Sequence, residues 1–177
     1  MITNRPIATE RLLLRNLTEA DVTESYFSWL NDPEVLRYLE ARFSKLGHIK
    51  ELCAFVNKVN DSSDTLMLGI FIKDTNRHIG NIKLGPINFQ HSRAEIGFLI
   101  GDRKSWNLGY ASEAIQAVSQ FGLNHLNLAK ISAGCYETNV GSKKALLKAG
   151  FIQVATIPNN VVSDGVRVGS FMFAIDR

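Results

Sequence analysis

Residues 93–126 read RAEIGFLIGDRKSWNLGYASEAIQAVSQFGLNHL. The stretch divides into a strand, a polar loop and a helix. Residues 94–100 carry β-branched and aromatic side chains and no proline, which predicts a strand. From a start between Leu108 and Ala111, apolar residues recur at Ala111, Ala114, Ile115, Val118, Phe121 and Leu126, close to the period of a one-sided helix. A strand that enters a helix through such a loop aims main-chain N–H groups at one point. The helix N-terminus adds unpaired donors and partial positive charge, so the junction suits a phosphate or another anion. Gly109 and Ala111 leave room for a ligand against the backbone, and Arg103 and Lys104 add charge nearby. The same residues also fit a turn that Gly109 merely eases, and the loop alone does not choose between the two.

Outward from this unit the chain alternates regularly. A strand is expected over 9–17 and a helix over 18–30, started by a capping box or close variant at Thr18 and Asp21. Asp32 and Pro33 fit the N-cap and first position of a short helix over 34–39. A loop over 40–47, with Arg42, Phe43 and Lys45, precedes a helix over 48–60. Strands over 65–73 and 78–84 flank the turn residues Asp74, Thr75 and Asn76. After the central unit come a strand over 130–136, a helix over 140–149 stopped by Gly150, and strands over 151–157 and 166–175. Pro158, Asn159 and Asn160 read as a loop. The central crossover should join parallel strands, and the hairpins impose antiparallel pairing elsewhere. The expected product is an α/β (α+β) fold: a mixed, mostly antiparallel sheet with helices on both faces. No repeat, low-complexity segment or linker divides the chain, so 1–177 is expected to be one domain.

Bulk properties exclude several classes. The chain of 177 residues is 45% hydrophobic and 21% charged, as globular proteins are. Its charge of +3 is small and dispersed, which speaks against nucleic acid as a partner. Cys53 and Cys135 lack CxxC spacing, and the four histidines lack metal-ligand spacing, so no metal is expected. No secretory signal and no apolar run of membrane-spanning length is found. The expectation is a cytoplasmic monomer or homodimer without a membrane partner. Neither GxxxxGK[ST] nor GxGxxG occurs, so a P-loop or dinucleotide-binding fold is rejected.

Five segments, in order, resemble the GNAT N-acetyltransferase superfamily: ATERLLLRNLTEAD near the start, Gly80-Asn81-Ile82, AEIGFLIG, Trp106 through Ala114, and Asn139-x-x-Ser142 ending at Gly150-Phe151. Within that superfamily the chain is similar to the branch that acetylates ribosomal-protein N-termini and amino sugars. The resemblance implies acetyl-CoA as acetyl donor, an amine acceptor, and direct attack on the thioester with no acyl-enzyme. The family's Gln/Arg-x-x-Gly-x-Gly/Ala loop stands here as Trp106-Asn107-Leu108-Gly109-Tyr110-Ala111. By resemblance, main-chain groups of Leu108, Gly109, Tyr110, Ala111 and Ser112 take the pyrophosphate. Leu99 and Ile100 then meet the pantetheine arm, with Asn139 beside it, and Lys143 or Lys144 faces the phosphate or adenine end. The tyrosine that serves many members as general acid is replaced by Leu146, which leaves Ser142 as candidate for that role. Glu95 is the candidate base, expected to be partly buried with a raised pKa; Glu113 and Glu137 are weaker candidates. The segment WLNDPEVLRYLEARF resembles members that acetylate nucleotide-linked amino sugars, which implies such an acceptor, with Trp29, Tyr38 and Phe43 stacking and Arg37 or Arg42 meeting phosphate; core packing is the other reading of Trp29 and Tyr38. A peptide N-terminus is the rival acceptor, and a non-catalytic acyl-CoA sensor is the rival class.

Overall fold

A computed structural model describes residues 2–3, 5–43 and 47–177. Lys45 lies outside the described residues. The strands are β1 (Ile7–Ala8), β2 (Leu12–Arg15), β3 (Leu66–Ile72), β4 (Arg77–Leu84), β5 (Arg93–Ile100), β6 (Lys130–Tyr136), β7 (Ile152–Ser163) and β8 (Val166–Asp176). The helices are α1 (Glu24–Trp29), α2 (Pro33–Leu36), α3 (Ile49–Asn60), α4 (Tyr110–His125) and α5 (Val140–Lys148). The described strands form one sheet in the order β1-β2-β3-β4-β5-β6-β8-β7. β5 and β6 run parallel, joined through α4, while the other neighbours are antiparallel. This is the expected mixed sheet with a central crossover.

The period-2 alternation of the strands divides their apolar side chains between two faces. Leu12, Leu14, Leu68 and Ile82 join Ile115 and Val118 of α4 and Leu146 of α5 in one core. Leu17, Met67 and Phe71 join Tyr26, Trp29, Leu52 and Val56 in another, against α1 and α3. Helices therefore cover both faces.

Three local expectations are corrected. The helix over 18–30 is two pieces, a 3-10 turn at Glu19–Asp21 and then α1. The Asp21 carboxylate turns back onto the Thr18 N–H at 2.7 Å, and a second N-cap follows at Thr23, whose hydroxyl accepts from the Tyr26 N–H. The strand expected over 9–17 is shorter, only β2 at Leu12–Arg15, and β1 precedes it at Ile7–Ala8. Residues 158–160 are part of β7 and not a loop; the ladder to β8 shifts register between Ile157 and Val161. Pro158 cannot donate to that ladder, and Asn159 is left-handed at φ 53°, so the chain bulges and resumes.

Candidate active site

The decisive geometry is the limited pairing of β5 with β6. Their ladder covers only Arg93, Ala94 and Glu95 against Lys130, Ile131 and Ser132. β5 then continues to Ile100 bonded to β4 alone, and β6 continues to Tyr136 bonded to β8. The strands thus part company and leave a gap in the sheet. Alternation fixes which backbone groups face it. The Glu95 carbonyl accepts from Gly85 N and the Gly101 N–H donates to Ile79, so odd-numbered residues of this segment point to β4. Ile96, Phe98 and Ile100 point to the gap. The expected role of Leu99 is corrected on this ground: its N–H and carbonyl belong to the β4 side, opposite Asn81.

α4 and α5 begin just beyond the C-terminal ends of these parallel strands, so both helix N-termini lie at the open end of the gap. At α4 the N-cap is Gly109, left-handed at φ 82° and without a side-chain cap. Asn107 is left-handed too, at φ 60°, a conformation asparagine tolerates better than most residues. Leu108 is half exposed, and Tyr110, Ala111 and Ser112 open the helix. Trp106, the departure from the family loop, donates its indole N–H to the Ile100 carbonyl at 2.7 Å. It occupies the last acceptor of β5 and packs on the α1–α3 core.

A tie from the far end of the sheet holds the loop. Glu113, in the first turn of α4, accepts from the Thr9 hydroxyl at 2.6 Å, the Arg11 N–H at 2.9 Å and Arg11 Nε at 2.7 Å. Arg11 Nη1 donates to the Leu108 carbonyl at 3.0 Å. Burial alone would raise the Glu113 carboxyl, but Thr9 and Arg11 outweigh it and hold the group below its ordinary range. A carboxylate so engaged is a strut, not a base. Glu137 is engaged as well, accepting from Gly169 N at 2.7 Å.

At α5, Asn139 is the N-cap and its side-chain oxygen accepts from Ser142 N at 3.1 Å. Ser142 is partly buried beside Cys135, whose thiol burial pushes up against the opposing effects of Lys143 and Ser142. Leu146 is fully buried. Lys144 is exposed, and Lys143 lies over the Phe171 ring at 4.4 Å. The lysine beside Gly109 is Lys148, which the sequence reading did not single out.

Glu95 is exposed, contrary to the expected partial burial, because it stands on the open face opposite Ser132. It makes no ion pair among the described residues. By alternation Glu95, Gly97, Ser132, Gly134 and Tyr136 share this face, and the glycines leave it shallow.

The acceptor wall is assembled from distant segments. Arg37 pairs with Asp164 at 2.7 Å. The Tyr38 hydroxyl donates to the Thr138 carbonyl at 3.2 Å, and its ring meets Tyr136 edge-on at 5.8 Å. Arg42 donates to the Tyr136 hydroxyl at 2.9 Å and the Val162 carbonyl at 2.7 Å, and also to the Arg37 carbonyl. Tyr136 donates in turn to Glu40 at 2.8 Å. Phe43 is exposed beneath the Arg42 guanidinium. Trp29 is corrected: it is 8% exposed and packed against Gly101 and His78, so it belongs to the core and not to the wall. Among the described residues no cluster of three or more His, Cys, Asp or Glu could hold a metal. No described helix is long and apolar enough to cross a membrane.

A parted parallel pair with two helix N-termini at its open end sets unpaired main-chain groups beside a site suited to an anion. The family model described as acetyltransferase (GNAT) domain matches residues 11–152. The chain belongs to the GNAT acetyltransferases, enzymes that move an acetyl group from acetyl-CoA to an amine. It is 31% identical over 170 residues to a Bacillus licheniformis protein named uncharacterized N-acetyltransferase p20, covering 94% of this chain and 93% of that one. The crystal structure of a GNAT-family acetyltransferase from Bacillus anthracis superposes with a TM-score of 0.83 at 25% identity, covering 97% of this chain and 98% of that one. A spermidine N-acetyltransferase from Vibrio cholerae, solved with CoA and spermine, shares the fold with a TM-score of 0.82 at 20% identity, over 95% and 96% of the two chains.

Proposed function

We propose that this acetyltransferase holds acetyl-CoA across the gap between β5 and β6 and acetylates a small amine carrying an anionic group, a nucleotide-linked amino sugar being the chemistry that fits best. The observation that carries the donor half is the early end of the β5–β6 ladder. The Ile96 carbonyl and the N–H and carbonyl of Phe98 lie beyond the last rung of that ladder and bond the pantetheine amides, as an added strand would. The amides from Leu108 to Ser112 take the diphosphate, aided by the α4 dipole. Asn139 lines the opposite side.

The thioester is already activated, so positioning supplies much of the rate. A gap-facing N–H of β5 stabilises the oxyanion as the amine attacks the acetyl carbon and the C–S bond breaks. Glu95, on the open face, takes a proton from the acceptor ammonium, directly or through water, to leave the free amine that attacks. Ser142, directly or through water, passes a proton to the departing thiolate and regains one from solvent.

Arg42 supports the acceptor reading. Among the described residues it bonds two carbonyls and a hydroxyl and no carboxylate. Two of its five N–H groups remain for an anion, and the Phe43 and Tyr136 rings lie beside it. The test is release of free thiol from acetyl-CoA with nucleotide-linked amino sugars, free amino sugars, polyamines and peptides. The nucleotide-linked sugar should turn over fastest; a peptide outrunning it removes this acceptor. Ser142→Ala should lower kcat more than cofactor affinity, and an unchanged kcat makes Ser142 a helix-start residue only.

A further inference from the structure

Two cationic side chains converge where Gly109 has no side chain. A Cβ built on Gly109 would lie 3.5 Å from Arg11 Nη2 and 3.8 Å from Lys148 Nζ. The two nitrogens are therefore no farther apart than those distances laid end to end. They come from opposite parts of the chain, one before β2 and the other at the end of α5. Arg11 is matched by Glu113. Lys148 has no carboxylate within ion-pair distance among the described residues. The cluster thus holds two positive charges and one negative. It stands at the uncapped N-terminus of a 16-residue helix, whose dipole adds to the surplus. Like charges held this close repel unless an anion joins them. The residues also border a cleft of about 780 Å³ between α4, the N-terminal segment and Lys148.

We infer that Arg11 and Lys148 form a side-chain clamp on the diphosphate of acetyl-CoA, closing over Gly109 from the side opposite the main-chain amides. The inference rests on the donor site proposed above and deepens it: amides supply directed hydrogen bonds, and the clamp supplies charge. Arg11 does double work. Its Nη1 fixes the Leu108 carbonyl, which turns the N–H of the same peptide, that of Gly109, away from Arg11. Its Nη2 keeps one N–H beyond the Glu113 pair for phosphate. Lys148 is a mobile point charge that completes the clamp.

The test compares calorimetric titrations of the full chain with CoA and with pantetheine, which lacks the diphosphate. Lys148→Met should weaken CoA about tenfold, the worth of one charge-assisted hydrogen bond, and leave pantetheine unchanged. Lys148→Arg should recover most of the loss. The dependence of CoA affinity on salt should flatten in Lys148→Met, because one screened attraction is gone. CoA affinity within twofold of wild type in Lys148→Met overturns the clamp, as does an equal loss for pantetheine, which would mark a general distortion. Wild-type chain that takes up no CoA overturns the donor site itself and the clamp with it; wild-type uptake with an insensitive Lys148→Met variant overturns the clamp alone.

Discussion

The donor and acceptor sides of this site are built by different means. The donor side is main chain: a strand edge left unpaired, a left-handed glycine, a helix N-terminus. Most of its information is local, within 93–126, with Arg11, Asn139 and Lys148 brought in from outside. The acceptor side is side chain meeting side chain across long separations, with Arg42 reaching Tyr136 and Val162, Arg37 reaching Asp164, and Tyr38 reaching Thr138. Main-chain groups recognise what every acyl-CoA shares, the amides and the diphosphate. Side chains can be exchanged one at a time without disturbing the sheet, so one donor frame can serve many acceptors.

The sharpest break in this comparison is expected where the halves touch. A Cβ on Gly101 would lie 2.1 Å from the Trp29 ring, and a buried indole has no flexible end to move aside. Gly101→Ala should cost about 3 kcal/mol in urea unfolding, the upper range for overpacking, with a red shift of tryptophan emission as Trp29 leaves its site. A smaller change in both would mean the halves adjust independently.

Charge matters more under the acceptor half. Burial alone would raise the Asp21 carboxyl, but hydrogen bonds from Arg15 and Thr18 lower it to about 2 from 3.8. The folded pKa lies below the unfolded one. Its stabilisation is therefore complete above about pH 4 and is lost as pH falls through 2. Chemical denaturation followed from pH 5 to pH 2 should show a loss of about 2 kcal/mol from this group. Asp21→Asn should be less stable at pH 5 and flatter towards pH 2. An equally steep profile in the variant would place the acid sensitivity elsewhere.

The same division decides what was legible in the sequence. The β5–loop–α4 unit was readable because periodicity, Gly109 and the helix start are local signals. The order of strands followed from hairpins and one crossover. Register was not readable: that Ile96 and Phe98, not Leu99, face the gap depends on which neighbour each residue bonds, and alternation gives two faces without saying which edge is free. Lys148 was missed for a related reason. Counting along α5 placed Lys144 on a plausible face, but only the packing of α5 against α4 brings Lys148 Nζ to Gly109. Trp29 stayed undecided between ligand and core because an aromatic residue before a loop reads alike whether it stacks on a ligand or on Gly101. The break after Asp21 went unseen because Thr18 and Thr23 both fit an N-cap.

On the donor side, Gly109→Ala tests backbone conformation. The added methyl meets only ordinary contacts, so the cost is that of a left-handed residue with a side chain, roughly 1–2 kcal/mol. CoA affinity should fall about tenfold, while thiol release per bound cofactor changes little. A fall in that rate with unchanged affinity would place Gly109 at the reacting end and not at the phosphates.

The smallest effect is expected on the acceptor side, and it separates recognition from scaffolding. Arg42→Gln keeps hydrogen-bonding capacity but removes the charge. With a nucleotide-linked amino sugar, KM should rise about fivefold, because an exposed charge–phosphate contact is worth only about 1 kcal/mol. With the free amino sugar, which carries no phosphate, KM should stay level, and CoA affinity should be unaffected in either case. Arg42 also links the 37–43 segment to Tyr136 and β7. If that bracing were its whole role, KM would rise alike for both acceptors, and the wall would be recognised as a scaffold whose specificity lies in its aromatic surface.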